Sequence, residues 1–182
     1  MKQKNILDYF KSCVTIDYAN FNGRARRLEY WGFILFTVLL SSATSIIDNA
    51  IFDMTETHVR FLSFGTLATL ALFTPSMAVA VRRFHDTNRR GWFPILLNTI
   101  SLSFIALPFV VADLQTYSTT GTTNIWRDPK IIAIMAIALV VLIGGIITLV
   151  VCFTEGTHGT NQYGPDPKKP ELDNEINEIG LE

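Results

Sequence analysis

The sequence predicts an all-α integral membrane protein, a four-helix transmembrane bundle with cytoplasmic N- and C-termini. Hydrophobic residues make up 49% of the 182 positions and charged residues 17%, and nearly all the charge falls in the gaps between apolar runs. Four of those runs approach the roughly 20 residues that a helix needs to cross a bilayer core. Twelve of the fifteen Lys and Arg residues lie in the N-terminal arm, one internal hinge and the C-terminal tail, which the positive-inside rule places together on the cytoplasmic side.

Residues 1–30 form a cytoplasmic arm. Ile6, Phe10, Cys13 and Val14 recur at helical spacing beside Lys2, Lys4 and Lys11, so the arm reads either as a short amphipathic helix on the headgroups or as a loosely ordered terminus. The polar first thirty residues predict no cleavable signal peptide. Asn22 and Gly23 then give a turn, and Arg24, Arg26, Arg27 and Glu29 precede Tyr30 and Trp31, aromatic residues of the kind that anchor a helix at the interface.

The membrane domain covers 31–153, with spans over about 31–50, 61–81, 92–112 and 131–153. Ser41, Ser42, Ala43 and Ser45 give the first span a face for close helix packing. Asp48 falls at its outer edge. Pro75 removes a backbone donor from the second span, and Thr74 or Ser76 is the expected partner for the carbonyl it frees. Pro108 interrupts the far end of the third. The fourth is a continuous apolar run in which Gly144 and Gly145 permit close contact or a bend. The loops 48–60 and 113–130 are expected outside, with Trp126 at that interface. Residues 154–182 are a cytoplasmic loop, dense in turn formers over Glu155–Pro167, and an acidic tail.

The hinge Val79–Phe93 holds Arg82, Arg83, His85, Asp86, Arg89 and Arg90 between the second and third spans, and is expected to lie in water. At the same depth stand Arg24, Arg26, Arg27 and Glu29. Guanidinium groups bind phosphate through paired donors, so the two clusters predict a platform for anionic lipid headgroups or a partner protein. The competing reading is a topology determinant with internal pairs, Arg to Glu29 and Arg to Asp86. His85 and Asp86 are neighbours on a helix and point apart, and no nucleophile accompanies them. No catalytic residues are assigned, and the chain reads as a non-enzyme. Cys13 and Cys152 are expected not to meet, no Cys or His pair has ligand spacing, and neither a metal nor a cofactor is expected. A net charge of −1 gives no sign of nucleic-acid binding. No ionisable side chain stands at mid-depth, which weighs against an ion-coupled carrier. A solute path lined by Thr66, Thr69, Asn98 and Ser101, through the bundle or an oligomer of it, is the rival class.

Three segments in order, FNGRARRLEYWGF, AVAVRRFHDTNRRGWF and EGTHGTNQYGPDP, resemble the signature blocks of the YhaH-like bacterial inner-membrane family catalogued as domain of unknown function 805. The resemblance runs from about Tyr18 to Pro167. Gly23, Arg24, Arg27, Glu29, Tyr30 and Trp31 match the first block. Arg82, Arg83, His85, Asp86, Gly91 and Trp92 match the second, and Gly156, Asn161, Tyr163, Gly164 and Pro167 the third. Asn88 stands where the family usually has glycine, Arg90 where it has serine and Phe93 where a second tryptophan is common. The resemblance implies a bacterial inner-membrane protein of unassigned activity whose three blocks form one unit. Asn161 and Tyr163 are then expected to hydrogen-bond the arginines. The predicted site is Arg24, Arg27, Glu29, Arg82, Arg83, His85, Asp86, Asn161 and Tyr163.

Overall fold

The computed structural model describes residues 5–52, 63–102 and 129–168. Within them lie five helices, α1 (Ile6–Val14), α2 (Arg27–Phe52), α3 (Phe64–Asp86), α4 (Trp92–Leu102) and α5 (Pro129–Phe153). An isolated bridge, Asn161 to Gly164, closes the looped segment after α5. The loop 53–62, the third span beyond Leu102, the connection holding Trp126 and the acidic tail lie outside the described residues.

Helices α2 and α3 have 26 and 23 residues, about 39 and 34 Å at 1.5 Å per residue, more than the ~30 Å hydrocarbon core. With α5 they are the three helices long and apolar enough to cross a membrane among the described residues. Helix α5 shows why lipid is the fitting solvent. Leu139, Val140, Leu142, Ile143 and Ile146 are all exposed, so its apolar surface extends around the helix rather than forming one core-facing stripe. It leans on α4, where Gly144 faces Leu97 with no room for a Cβ.

Helices α2 and α3 form an antiparallel hairpin. Asp48, near the end of α2, accepts hydrogen bonds from the Phe64 and Gly65 N–H groups at 2.8 Å each. Ser63 at the N-cap accepts from the Thr66 N–H at 3.1 Å. These side chains serve donors that a helix start leaves without intrahelical partners. Helix α1 rests on both, with Phe10 against Phe33 and Phe36 and Ile6 against Gly32. The arm is thus a docked amphipathic helix rather than a loose terminus.

The structure departs from the sequence reading in three places. Helix α3 runs unbroken through Pro75. The carbonyl that proline frees, four residues back at Ala71, accepts from the Tyr18 hydroxyl at 2.6 Å, not from Thr74 or Ser76. Cys13 and Cys152 are free thiols, as the sequence predicts, but both are buried in one core cluster, because docking α1 carries Cys13 out of the polar arm and inward. Finally, α3 continues past Val81 to Asp86. The first half of the hinge is therefore buried helix, not solvated loop; the turn itself is Thr87–Gly91, with Asn88 left-handed at φ 58°. Asparagine tolerates that conformation well.

Candidate functional site

The start of α2, the end of α3 and the loop after α5 meet at one end of the bundle. Helix continuity puts Arg82, Arg83 and Asp86 on the last turns of α3, and all three are buried. Arg83 is wholly enclosed and pairs with Asp86. Its remaining donors reach the carbonyls of Cys152 (3.3 Å), Thr154 and Ala25 (3.5 Å). Asp86 also receives Arg24 Nε at 2.9 Å, and the Arg24 side chain is only 2% exposed. Arg24 in turn donates to the carbonyls of Gly159, at 2.6 Å, and Thr157. One carboxylate and several carbonyls thus occupy the donors of two buried guanidiniums while the group keeps a net positive charge, and such partners are the condition for burying the guanidiniums at all.

A second pair lies beside the first. Arg82 meets Glu29 at 2.9 Å and Asp17 at 3.9 Å. Cys13 Sγ lies between them, 3.6 Å from Arg82 and 3.7 Å from Glu29. Burial, with the Glu29 charge adding to it, pushes the Cys13 thiol up to about 11, so it is a protonated packing group at neutral pH. Arg82 Nε is a buried atom with no hydrogen-bond partner.

His85 points away from Asp86, as neighbours on a helix must. Its ring stacks on Tyr163, centroids 3.8 Å apart and planes at 5°, and its Nδ1 lies 3.3 Å from the Gly23 carbonyl. Asn161 donates to the His85 carbonyl and the Thr157 hydroxyl, both at 2.9 Å. The expectation that Asn161 and Tyr163 bond the arginines is therefore corrected: they grip the end of α3, and backbone carbonyls of the loop hold Arg24 and Arg83. The loop is seated further by Thr157, whose N–H and hydroxyl both donate to the Asp86 carbonyl, at 2.8 and 3.1 Å. Gly156 lies so close to the Asp86 carboxylate that a Cβ there would overlap it.

At the rim the ion pairs are exposed. Arg27 and Lys168 both reach Glu155 Oε1, at 3.2 and 2.7 Å. The lysine contact and the two cationic charges hold the Glu155 carboxyl below its ordinary value. Partial burial pushes Asp166 up, but the backbone N–H groups of Lys168 and Gly159 and the charges of Arg24 and His158 carry it below the ordinary value on balance. Between these groups opens a small, half-open cleft of about 20 Å³. Two arginines that the predicted site omitted, Arg89 and Arg90, stand exposed on the α3–α4 turn. They precede Trp92, which is 59% exposed. Arg90 is where the family pattern has serine, and that departure was the available signal.

All nine predicted residues belong to this one end. Arg24, Arg83 and Asp86 form one network, Arg82 and Glu29 a second, and His85, Asn161 and Tyr163 a third, while Arg27 lies at the rim.

Residues 18–165 match the model of a family described as "Protein of unknown function (DUF805)". The inner membrane protein YhaI of Escherichia coli (strain K12) is 30% identical over 152 residues, spanning 84% of this chain and 89% of that protein. Inner membrane protein YhaH of the same strain is 28% identical over 152 residues, spanning 84% of this chain and 90% of its own. No solved structure matches the chain. The matched region begins at the tyrosine that bonds the Ala71 carbonyl and takes in all nine predicted site residues, leaving Asp17 and Lys168 just beyond its two edges, and the chain belongs to the DUF805 family, whose relatives here are inner-membrane proteins.

Proposed function

We propose that this chain is a non-enzymatic binding protein of the bacterial inner membrane. Its arginine-bearing end and both termini face the cytoplasm, and its ligand there is the anionic lipid headgroup. The observation that carries this reading is the contrast among its arginines. Arg24, Arg82 and Arg83 have carboxylate and carbonyl partners inside the fold, whereas Arg89 and Arg90 stand exposed on the turn before an exposed tryptophan. Exposed cations beside an interfacial indole are suited to headgroups. Arg24, Glu29, Arg82, Arg83, His85, Asp86, Asn161 and Tyr163 are then the frame of the platform, with Arg27 at its edge.

The transport reading has less support. Of the residues expected to line a path, Thr69 and Asn98 bond the carbonyl four residues back in their own helices and the Thr66 hydroxyl pairs with that of Ser63, which leaves less of their bonding capacity for a solute. The side chain of Ser101 lies outside the described residues.

The test is native mass spectrometry of protein purified in mild detergent. An Arg89→Gln/Arg90→Gln variant should lose most of its retained anionic phospholipid, since two near-surface cations contribute about 2 kcal/mol. Unchanged retention overturns the headgroup reading. Pair-dependent capture of a protein, with lipid retention unchanged, would replace it with a partner.

A further inference from the structure

We infer that the cleft between the start of α2 and the 155–168 loop is a phosphate site, two of whose lining cations, Arg27 and Lys168, are held in the unliganded protein by the Glu155 carboxylate beside it. The inference rests on reading this end as an anion-binding platform and goes further by naming a second, built site on it with its own ligand chemistry.

The cleft has a fixed floor and a displaceable lid group. Arg24 and Arg83 form the floor, held by Asp86 and by the loop carbonyls. Arg26, Arg27, His158 and Lys168 also line it, as does the Asp166 carboxylate, which accepts from the Gly159 and Lys168 N–H groups and leaves the lining cationic on balance. Arg27 and Lys168 come from opposite ends of the sequence and converge on a single oxygen, Glu155 Oε1. Two cations focused on one anionic oxygen is the geometry that a phosphate oxygen requires, and a guanidinium adds paired donors.

Glu155 is a weak occupant of that position. Its side chain is 50% exposed and those of its partners are 45% and 40% exposed, so the pairs are screened by solvent and each contributes little. A phosphomonoester carries more charge and three acceptor oxygens. It can take over both cations while Glu155 swings into water, and Arg24 and Arg83 keep the cleft open because their partners are internal. The positive floor and rim also favour a dianion over the single charge of a phosphodiester.

The same chemistry is presented by free phosphate and by a lipid with a monoester headgroup, and the experiment separates them. Purified protein in detergent is titrated with inorganic phosphate, with short-chain phosphatidic acid and, as a diester control, with short-chain phosphatidylglycerol. Binding is followed by native mass spectrometry and by phosphorus NMR. Saturable binding of inorganic phosphate assigns a soluble source, and binding of phosphatidic acid alone assigns a lipid. Arg27→Gln/Lys168→Gln should weaken the bound probe roughly tenfold or more, and Glu155→Gln should tighten it about threefold by removing the internal competitor. Arg89→Gln/Arg90→Gln should leave inorganic phosphate binding unchanged, and the lipid titrations are made in that variant, so that lipid held at the exposed turn is not counted at this site. The inference is overturned if neither monoester probe saturates, if the diester binds the Arg89→Gln/Arg90→Gln variant as well as the monoester does, or if Glu155→Gln binds no tighter than wild type while melting at the same temperature. The Glu155 variant keeps the buried networks, so a folding defect does not mask the answer.

Discussion

At one end of the α2–α3 hairpin a single carboxylate, Asp48, joins the helices by accepting from two N–H groups. At the other, buried arginines on α3 and in the turn before α2 are balanced by Asp86 and Glu29 and by loop carbonyls. The first end uses the partial charge of a helix start, which costs little desolvation. The second takes full charges out of water, which is tolerable only when every partner is in place. The difference teaches where this fold can fail. The Asp48 end can lose its cap and keep its helices, whereas the arginine end stands or falls as a unit.

The largest predicted effect follows from that asymmetry. Asp86→Asn leaves the buried Arg24 and Arg83 guanidiniums without a counter-charge. Removing one partner of a buried ion pair costs about 3–5 kcal/mol, and here the 155–168 loop loses its seat as well. Thermal unfolding in detergent should show a sharply lowered melting temperature, or no folded protein. A variant melting within about 1 °C of wild type would mean that the two ends do not differ in kind.

Much of the second end was legible in the sequence, and the unread part has a common cause. The spans could be read because apolar length is a property of the chain itself. The pairing of arginine with Glu29 and Asp86 could be read because the boundaries of the runs put these residues at one depth. The carbonyls of Thr154, Thr157 and Gly159 could not, since a carbonyl carries no residue signature. The Tyr18 bond to Ala71 was missed for a related reason: the proline predicts an orphan carbonyl, but its partner comes from a segment 53 residues earlier. The burial of Arg82 and Arg83 departs furthest from the sequence, because clustered charge argues for water and only the internal pairs with Glu29 and Asp86 make burial tolerable. For Arg89 and Arg90 the sequence carries one signal, the departure of Arg90 from the family's serine, because residue type alone does not distinguish a buried, paired arginine from an exposed one.

The second prediction sharpens the comparison from the other side. Asp48→Ala removes the acceptor for the Phe64 and Gly65 N–H groups, while Ser63 still serves Thr66. Loss of such a cap costs about 1 kcal/mol, or roughly 2–4 °C for a chain of this size. Combined with Glu29→Gln at the opposite end, the losses should add, because the sites share no partners. Marked non-additivity in melting experiments would mean that the two ends report on one another through α2 and α3.

The smallest effect concerns pH and probes the rim of the arginine end. Glu155 and Asp166 both have carboxyls held below their ordinary values, so in the folded protein they release protons more readily than in the unfolded chain. The unfolded state therefore binds more protons over the acid range, and stability rises with pH there. The contribution is fully present above the ordinary carboxylate value of about 4 and is lost as pH falls through the depressed folded values. Melting temperature measured from pH 7 down to pH 3 should fall on the acid side, and Glu155→Gln/Asp166→Asn should flatten part of that fall without matching the damage of Asp86→Asn. The fall should be shallow because Glu155 is open to solvent on one side and its pairs are screened. If the double variant shows the same acid limb as wild type, the rim pairs do not hold the loop, and the seat at Asp86 alone accounts for its position.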